Sequence, residues 1–357
     1  MTNPVLSNYD LFIDLLKDPN RKSLLRITKE IVLLTFFHRS LPQHYFSRYL
    51  FKKGATNVKD YFPGAYLYKI KSFYNDKEVI EVLENKLFFD FYYGQFSVPL
   101  PMILMYNHKN MFVFENRSFA INSTKDFELT LEKIFNQNPA YDSIIIKRTY
   151  GSYGGRKIFK LFRNQLNTDT GKINELYTEV IKAGFLFQET IAQHQELNRL
   201  NPSCLNTIRF DTFIGTDGKI EIISAYIRMS ISNNHVDNVS SGGVFVGINL
   251  EKGRLKKYGY SSFRKFGTKV LTVHPVTNTV FEDFSIPFFH QAKELVIKAA
   301  SLMPALRLVG WDMAIGESGP VLIEGNSDYE IAGNDLADGG YRANVTFRKV
   351  LSEINYL

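Results

Sequence analysis

The 357-residue chain carries 43 Lys or Arg against 36 Asp or Glu, a formal net charge of +7, and is 45% apolar and 14% aromatic. That composition excludes wholesale disorder and supplies apolar material for a large core in two or three lobes. The lone Cys204 excludes an internal disulfide framework, fits a reducing compartment and reads as a small buried residue.

The opening MTNPVLSNYDLFIDLL lacks the basic region of a secretory leader, and IVLLTFF at 31–37 is too short to cross a bilayer. A soluble cytoplasmic protein is the expectation. The first 80 or so residues read as helical, with Leu24, Leu25, Ile27, Ile31, Leu34 and Phe37 at near-helical spacing in a segment apolar nearly all round. Pro63-Gly64 is expected to close this region. Residues 17–77 hold 13 Lys or Arg against 4 Asp or Glu, a net +9, so the remainder is close to neutral. Such a cluster is either a solvated helical face or a docking surface for an anionic partner, such as a membrane face or a phosphate-bearing carrier. With no nucleic-acid module in the region, nucleic acid is not expected as a partner.

A helix is expected from about Asp76 to Tyr93, then a short strand in VPLPMILMY. From Ser143 strands dominate: Ile144–Ile146, Lys157–Phe162, Phe185–Gln188, Thr207–Ile214, Lys219–Met229, Val244–Leu250, Val270–Val273, Leu308–Ile315 and Val321–Ile323. GTDGK, EKGR and GESGP read as hairpin turns. A helix near Pro287–Met303, with Pro287 in its first turn, is the main interruption. The pattern is a mixed α+β chain with a large antiparallel sheet.

In IIIKRTYGSYGGRKIFKLF, Lys147 closes a strand and a glycine-rich turn follows. Neither a P-loop nor a dinucleotide fingerprint fits, since a strand rather than a helix comes next. A hairpin folding over phosphates and an ordinary turn both remain open. Gln188 and Glu189 end a strand, and Glu196 follows seven residues after Glu189, a weak signal alone. Arg209 and Arg228 sit on strands that otherwise read as core and need an anionic partner. Structural salt bridges to Asp211 or Glu221 are the alternative. DNVSSGG at 237–243 reads as a polar loop able to cover a ligand. In VGWDMAIGESGPVLIEGN, Asp312 lies on one strand of a tight hairpin, with Glu324 and Asn326 on one face of the other. Two carboxylates and an amide oxygen form a hard-oxygen set suited to Mg2+, and an unpaired carboxylate among apolar strand residues is costly, which favours the metal reading over simple turn contacts.

In this order the segments resemble the ATP-grasp superfamily, from about Lys86 to Asn326. The resemblance implies an α+β ATP-grasp fold, with two α+β lobes holding ATP between antiparallel sheets after a basic, mostly helical N-terminal region. The expected division is 1–85, 86–187 and 188–357. It makes Lys86 and Lys147 the phosphate lysines and Gly151–Gly155 a flap whose Ser152 and Gly154 and Gly155 amides touch phosphate. Gln188, Glu189 and Ile191 become the adenine hinge, Glu196 the ribose carboxylate, and Asp312, Glu324 and Asn326 the ligands of two Mg2+ ions, with Mn2+ as a substitute. NTIR, Arg228 and DNVSSGG look like glutamate-adding and lysine-biosynthetic ligases. HPVTN, IPFFHQAKELVIKAASLMP and GWDMAIGESGPVLIEGN resemble more closely the sugar-transfer-associated subgroup, linked to bacterial cell-surface polysaccharide assembly.

The implied activity is that of a carboxylate–amine ligase working through an acyl phosphate, with Arg209 and Arg228 holding the transferring group. The implied substrates are ATP, an acid and an amine, one of them a sugar or glycan. A phosphotransferase or a non-catalytic partner of a glycosyltransferase system is the alternative. Cytoplasmic location, with peripheral contact at the inner membrane face through residues 17–77, completes the expectation. Tyr153, Arg156-Lys157 and the helical N-terminal region depart from the usual pattern.

Overall fold

The computed structural model describes residues 6–152, 156–231 and 243–354. The chain divides into two compact units: Met1–Ile80 with Gln193–Pro320 and Gly325–Leu357, and Glu81–Ala192 with Val321–Glu324.

The larger unit opens with α1 (Asn8–Lys17), α2 (Leu24–His38), α3 (His44–Ser47) and α4 (Gly64–Tyr74). Ser7 and Asp10 form a reciprocal capping box on α1, and Ser23 caps α2 by accepting from the Arg26 amide. The segment that reads as apolar all round buries a partly polar stripe, Ile27, Glu30, Leu34 and His38. Glu30 is satisfied there by Lys22 (2.7 Å), Arg26 (2.9 Å) and the Tyr45 hydroxyl (2.7 Å). Pro63-Gly64 does not end the helical region. Pro63 is the extended N-cap of α4, a place where its missing N–H costs no helical bond.

The smaller unit contains α5 (Glu81–Glu84), α6 (Lys86–Gly94), β1 (Ile103–His108), β2 (Met111–Phe114), β3 (Arg117–Ala120), α7 (Thr124–Gln137), β4 (Ser143–Arg148), β5 (Ile158–Phe162), α8 (Gln165–Thr168), α9 (Thr170–Val180) and β6 (Gly184–Glu189). The single helix expected over 76–93 is broken at Asn85, whose extended backbone and side chain cap α6 by accepting from Leu87 N–H. The six strands form an antiparallel sheet in the order β3-β2-β1-β6-β4-β5. Phe127, Leu131, Ile134 and Phe135 of α7, spaced for one helical face, share its core with Ile144, Ile146, Phe185 and Phe187.

The larger unit resumes with α10 (Gln195–Leu200), β7 (Thr207–Ile214), β8 (Ile220–Ser230), β9 (Gly243–Asn249), β10 (Arg254–Ser261), α11 (Phe263–Phe266), α12 (Phe289–Ser301), β11 (Leu308–Gly316), β12 (Gly319–Asn326), α13 (Ala332–Asp338) and α14 (Val345–Glu353). Its sheet runs β10-β9-β8-β7-β11-β12, with the three expected hairpins in place. Every residue of β7 and β11 is buried, so both strands have two covered faces. On one face Phe210 stacks on Phe289 of α12 at 5.7 Å. The alternate residues Arg209, Asp211 and Phe213 turn to the opposite face, where Phe213 meets Tyr74 of α4 at 5.2 Å. The N-terminal helices share that core: Ile27, Leu34 and Tyr45 cluster with Tyr226, Phe245 and Leu336.

Two further expectations are corrected. Val270–Val273 is not a strand, because only isolated bridges form there, Gly259 with Leu271 and Val273 with Val280. The helix expected to start at Pro287 begins at Phe289, after Phe288 takes a left-handed turn (φ 52°) as its N-cap. Among the described residues no helix is long and apolar enough to cross a membrane.

Candidate functional site

In the smaller unit a charged cluster sits where β4, β6 and α6 approach one another. Lys147, one residue from the end of β4, pairs in register with Leu186 on β6 and Ile158 on β5 and is buried. The backbone amide of Lys86 donates to the Thr149 carbonyl at 2.8 Å, which ties the start of α6 to the chain just beyond β4. Lys86 and Asp90 are four residues apart and so share a face of α6. Gln188 on β6 donates to Asp90 Oδ1 (3.1 Å), Asp90 Oδ2 (3.2 Å) and the Pro101 carbonyl (3.2 Å). The Lys86 ammonium meets Glu324 Oε2 at 3.1 Å.

Burial sets the electrostatics of this cluster. It lowers the Lys147 ammonium; Asp90 counters the shift, Lys86 adds to it and Glu324 opposes it. Burial raises the Asp90 carboxyl to about 6 against the pull of Lys147, the Gln188 hydrogen bond and Lys86. Asp90 was missed in the sequence. Its signal was a carboxylate four residues after Lys86 in an otherwise apolar helix.

The glycine turn does join two antiparallel strands, β4 and β5. Gly151 has φ +69°, a conformation that favours glycine, and Ser152 Oγ donates to the Arg148 carbonyl at 3.2 Å. Tyr153, Gly154 and Gly155 lie outside the described residues, as does most of the 237–243 loop. Glu189 accepts from the Met102 amide (2.9 Å) and the Tyr141 hydroxyl (2.8 Å), and Ile191 is half-buried just beyond β6. Glu196 lies in the first turn of α10 and accepts from Arg199 at 2.6 Å.

In the larger unit Arg209 on β7 stands directly opposite Asp312 on β11. The guanidinium binds that carboxylate through two atoms, Nε to Oδ1 at 2.5 Å and Nη2 to Oδ2 at 2.9 Å. Arg228 on β8 adds an ion pair to Asp312 Oδ2 at 3.0 Å and donates to Thr207 Oγ1. Burial alone would lower the Arg209 pKa, but Asp312 holds it well above the ordinary value. The alternative anions are engaged elsewhere: Glu221 binds Lys349 at 2.6 Å, and Asp211 accepts the Tyr341 hydroxyl at 2.5 Å. Tyr341 Oη also bonds Ser224 Oγ (2.7 Å), and Asn334 donates to the same oxygen (2.8 Å). Burial raises Asp211 to about 7, opposed by the Tyr341 hydroxyl and then by Arg209.

Asp312, Glu324 and Asn326 supply oxygen donors, the type that hard divalent cations take. No trio of His, Cys, Asp or Glu among the described residues is grouped to hold an ion alone. In this geometry Asp312 is paired with Arg209 and Arg228, and Glu324 with Lys86. Asn326 follows Glu324 by two positions on β12, as expected.

The geometry defines a class: two α+β units built on antiparallel sheets, one with a strand lysine beside a glycine hairpin. The chain matches the sugar-transfer associated ATP-grasp family over residues 68–346 and belongs to that family. Among solved structures it is similar to a D-cycloserine synthetase at 11% identity and TM-score 0.46, covering 82% of this chain and 80% of that one. It is also similar to D-alanyl-alanine synthetase A from Vibrio cholerae (12%, TM-score 0.43, 76% and 65% covered). A third is N5-carboxyaminoimidazole ribonucleotide synthetase in its ADP complex (10%, TM-score 0.40, 70% of this chain and 46% of that one). The chain thus spans less than half the length of this last neighbour. No curated protein matches the sequence.

Proposed function

We propose that the protein is an ATP-dependent carboxylate–amine ligase whose acid or amine substrate is a sugar or glycan, serving bacterial cell-surface polysaccharide or glycoconjugate assembly. The observation that carries this reading is the approach of two lysines, Lys86 and Lys147, within electrostatic reach of each other at the base of the β4–β5 hairpin. Asp90 and Glu324 lie beside the two ammonium groups, and a polyphosphate is a further anion of the kind that paired lysines hold. Membership of the family supports ATP as that polyphosphate and a sugar as the acceptor class.

In the proposed reaction a substrate carboxylate oxygen attacks the γ-phosphorus of ATP, and ADP leaves with the electrons of the broken P–O bond. The amine then attacks the acyl phosphate carbon; phosphate and a proton depart as the amide forms. Lys86 and Lys147 neutralise phosphate charge, with Ser152 beside it. Gln188, Glu189 and Ile191 face the base, and Glu196 holds the ribose. Arg209 and Arg228, held in place by Asp312, orient the carboxylate and the transferring phosphoryl group. Asp312, Glu324 and Asn326 would hold two Mg2+ ions, which when bound shield the phosphate oxygens.

The test is an ADP-release screen of uronic and amino-sugar acids against amines with MgATP, read out by mass spectrometry. The expected result is ADP and phosphate in equal amounts only when acid and amine are both present, with an amide product. A phosphorylated alcohol without free phosphate, or no turnover with any pair while biological activity survives loss of Lys147, would overturn it.

A further inference from the structure

Helix α2 is apolar on both faces. Its inward stripe carries Ile27, Glu30, Leu34 and His38, and Leu25, Val32, Leu33 and Phe36 share the outward face. Leu25 is 68% and Phe36 80% exposed, and Phe37 flanks them. A surface helix normally keeps its outward face polar, so this stripe, on a helix about 22 Å long, marks a contact surface.

Charge identifies the occupant. Arg26 borders the stripe, Lys29 lies within it between Phe36 and Leu33, and Arg39 follows the last turn; all three are exposed. Lys59, from the turn packed on α2, places its ammonium 5.3 Å from the Phe37 ring centre. The helix's one acid, Glu30, points inward and is neutralised by Lys22 and Arg26. An apolar stripe edged by cations, with no acid on its outward side, is the pattern that lies flat in a negatively charged lipid interface. A second copy is the poorer occupant, since it would bring the same +9 segment against this one. We propose that the outward face of α2 is a contact surface for an anionic lipid bilayer, with Leu25, Val32, Leu33 and Phe36 entering the acyl boundary. Lys29, Arg39 and Lys59 then meet the headgroups. This proposal does not depend on the ligase reading, because it needs neither nucleotide nor acceptor.

The test is flotation of the full chain with vesicles of phosphatidylcholine alone or mixed with phosphatidylglycerol, at low and high salt. Binding is expected to the mixed vesicles, to weaken steeply with salt and to be weak on phosphatidylcholine. The double variant Leu25→Ser, Phe36→Ser should bind at least about tenfold more weakly. The double variant Lys29→Gln, Lys59→Gln should lose about fivefold per charge, on the mixed vesicles only. These side chains are exposed, so unchanged circular dichroism and ADP release should show both variants folded. No flotation of the wild type at low salt, or equal flotation of wild type and variants, would overturn the proposal. So would a lipid-free dimer in ultracentrifugation that the apolar double variant makes monomeric. A failed ADP-release screen with normal flotation would refute the ligase reading alone.

Discussion

Each unit builds a charged cluster into its sheet, and the two clusters solve the burial of charge differently. In the smaller unit burial pushes the Lys147 ammonium down and the Asp90 carboxyl up to about 6, so both groups move toward neutrality. In the larger unit Arg209 cannot discharge and instead locks onto Asp312 through two hydrogen bonds. The lysine cluster thus has a charge that an arriving ligand can set. The arginine cluster has a charge fixed by the fold. The same contrast separates what each can do: ammonium groups follow a moving phosphate, whereas a clamped guanidinium defines one orientation.

The largest effect should come from breaking the fixed pair. Arg209→Met leaves a buried Asp312 carboxylate short of its two-point partner, and denaturant unfolding should show a loss of about 3 kcal/mol or more. ADP release should fall by roughly a thousandfold. Arg209→Lys should recover little of either, since one ammonium cannot reproduce the paired bonds. Unfolding at the wild-type midpoint would remove the distinction between the clusters. Lys147→Met should instead reduce ADP release by roughly a hundredfold or more. Its stability at about pH 6 should change by no more than about 1 kcal/mol, because Asp90 can take up a proton when its neighbour is lost. A loss as large as that of Arg209→Met would show that Lys147 too is a structural pair.

Both units contain a raised carboxyl, and here they should behave alike. Burial holds Asp90 near 6 and Asp211 near 7, against an ordinary value of 3.8. The folded state therefore binds the proton more tightly than the unfolded one. The stability this contributes is fully present below 3.8 and is lost as pH rises through about 6 for Asp90 and about 7 for Asp211. Urea unfolding between about pH 4 and pH 8 should show wild-type stability falling relative to Asp90→Asn or Asp211→Asn, on the order of 2–3 kcal/mol for Asp90 and about 4 kcal/mol for Asp211. A difference that does not change with pH would mean that neither carboxyl is neutral in the fold.

These expectations show which chemistry was readable before the fold. Lys147 and Asp312 were legible as charges on strands that read as core; that Asp312 is paired with Arg209 and Arg228 was not. Asp211 and Glu221, close in sequence, were weighed, while the register of β7 against β11 supplies Asp312 from 103 residues away. Asp90 hid inside a helix that looked like packing alone. Among the elements, the long buried strands and their turns were legible from β-branched runs. The four-residue β2 and β3 were not, and β10, where the adjacent Lys257 and Tyr258 are both exposed, lacks a clean alternation. The outward face of α2 was unreadable because a helix apolar nearly all round does not say which side is buried. Satisfaction of Glu30 by Lys22 and Tyr45 decides that.

Gly310→Ala tests how far the fixed cluster depends on its packing. A Cβ at Gly310 would lie 2.5 Å from Tyr329 Cγ, and Arg209 sits 5.6 Å from the centre of the same ring. Tyr329 must shift, at about 1–3 kcal/mol measured by thermal or denaturant unfolding. ADP release should fall with it, because the ring that shifts is the one beneath the guanidinium. Normal turnover in a destabilised Gly310→Ala protein would separate Arg209's orientation from Tyr329.

The smallest effect belongs to Glu196, which lies outside both clusters. Its ion pair with Arg199 joins two side chains 46% and 64% exposed, an arrangement that adds about 0–0.5 kcal/mol in water. Glu196→Gln should therefore leave the unfolding midpoint nearly unchanged. If the carboxylate holds the ribose, the KM for ATP should rise about tenfold with kcat close to wild type, the signature of binding lost equally from ground and transition states. An unchanged KM would leave Glu196 as a helix-surface residue paired with its neighbour. It would also confine nucleotide recognition to groups that the fold buries, in keeping with the contrast between a settable cluster and a fixed one.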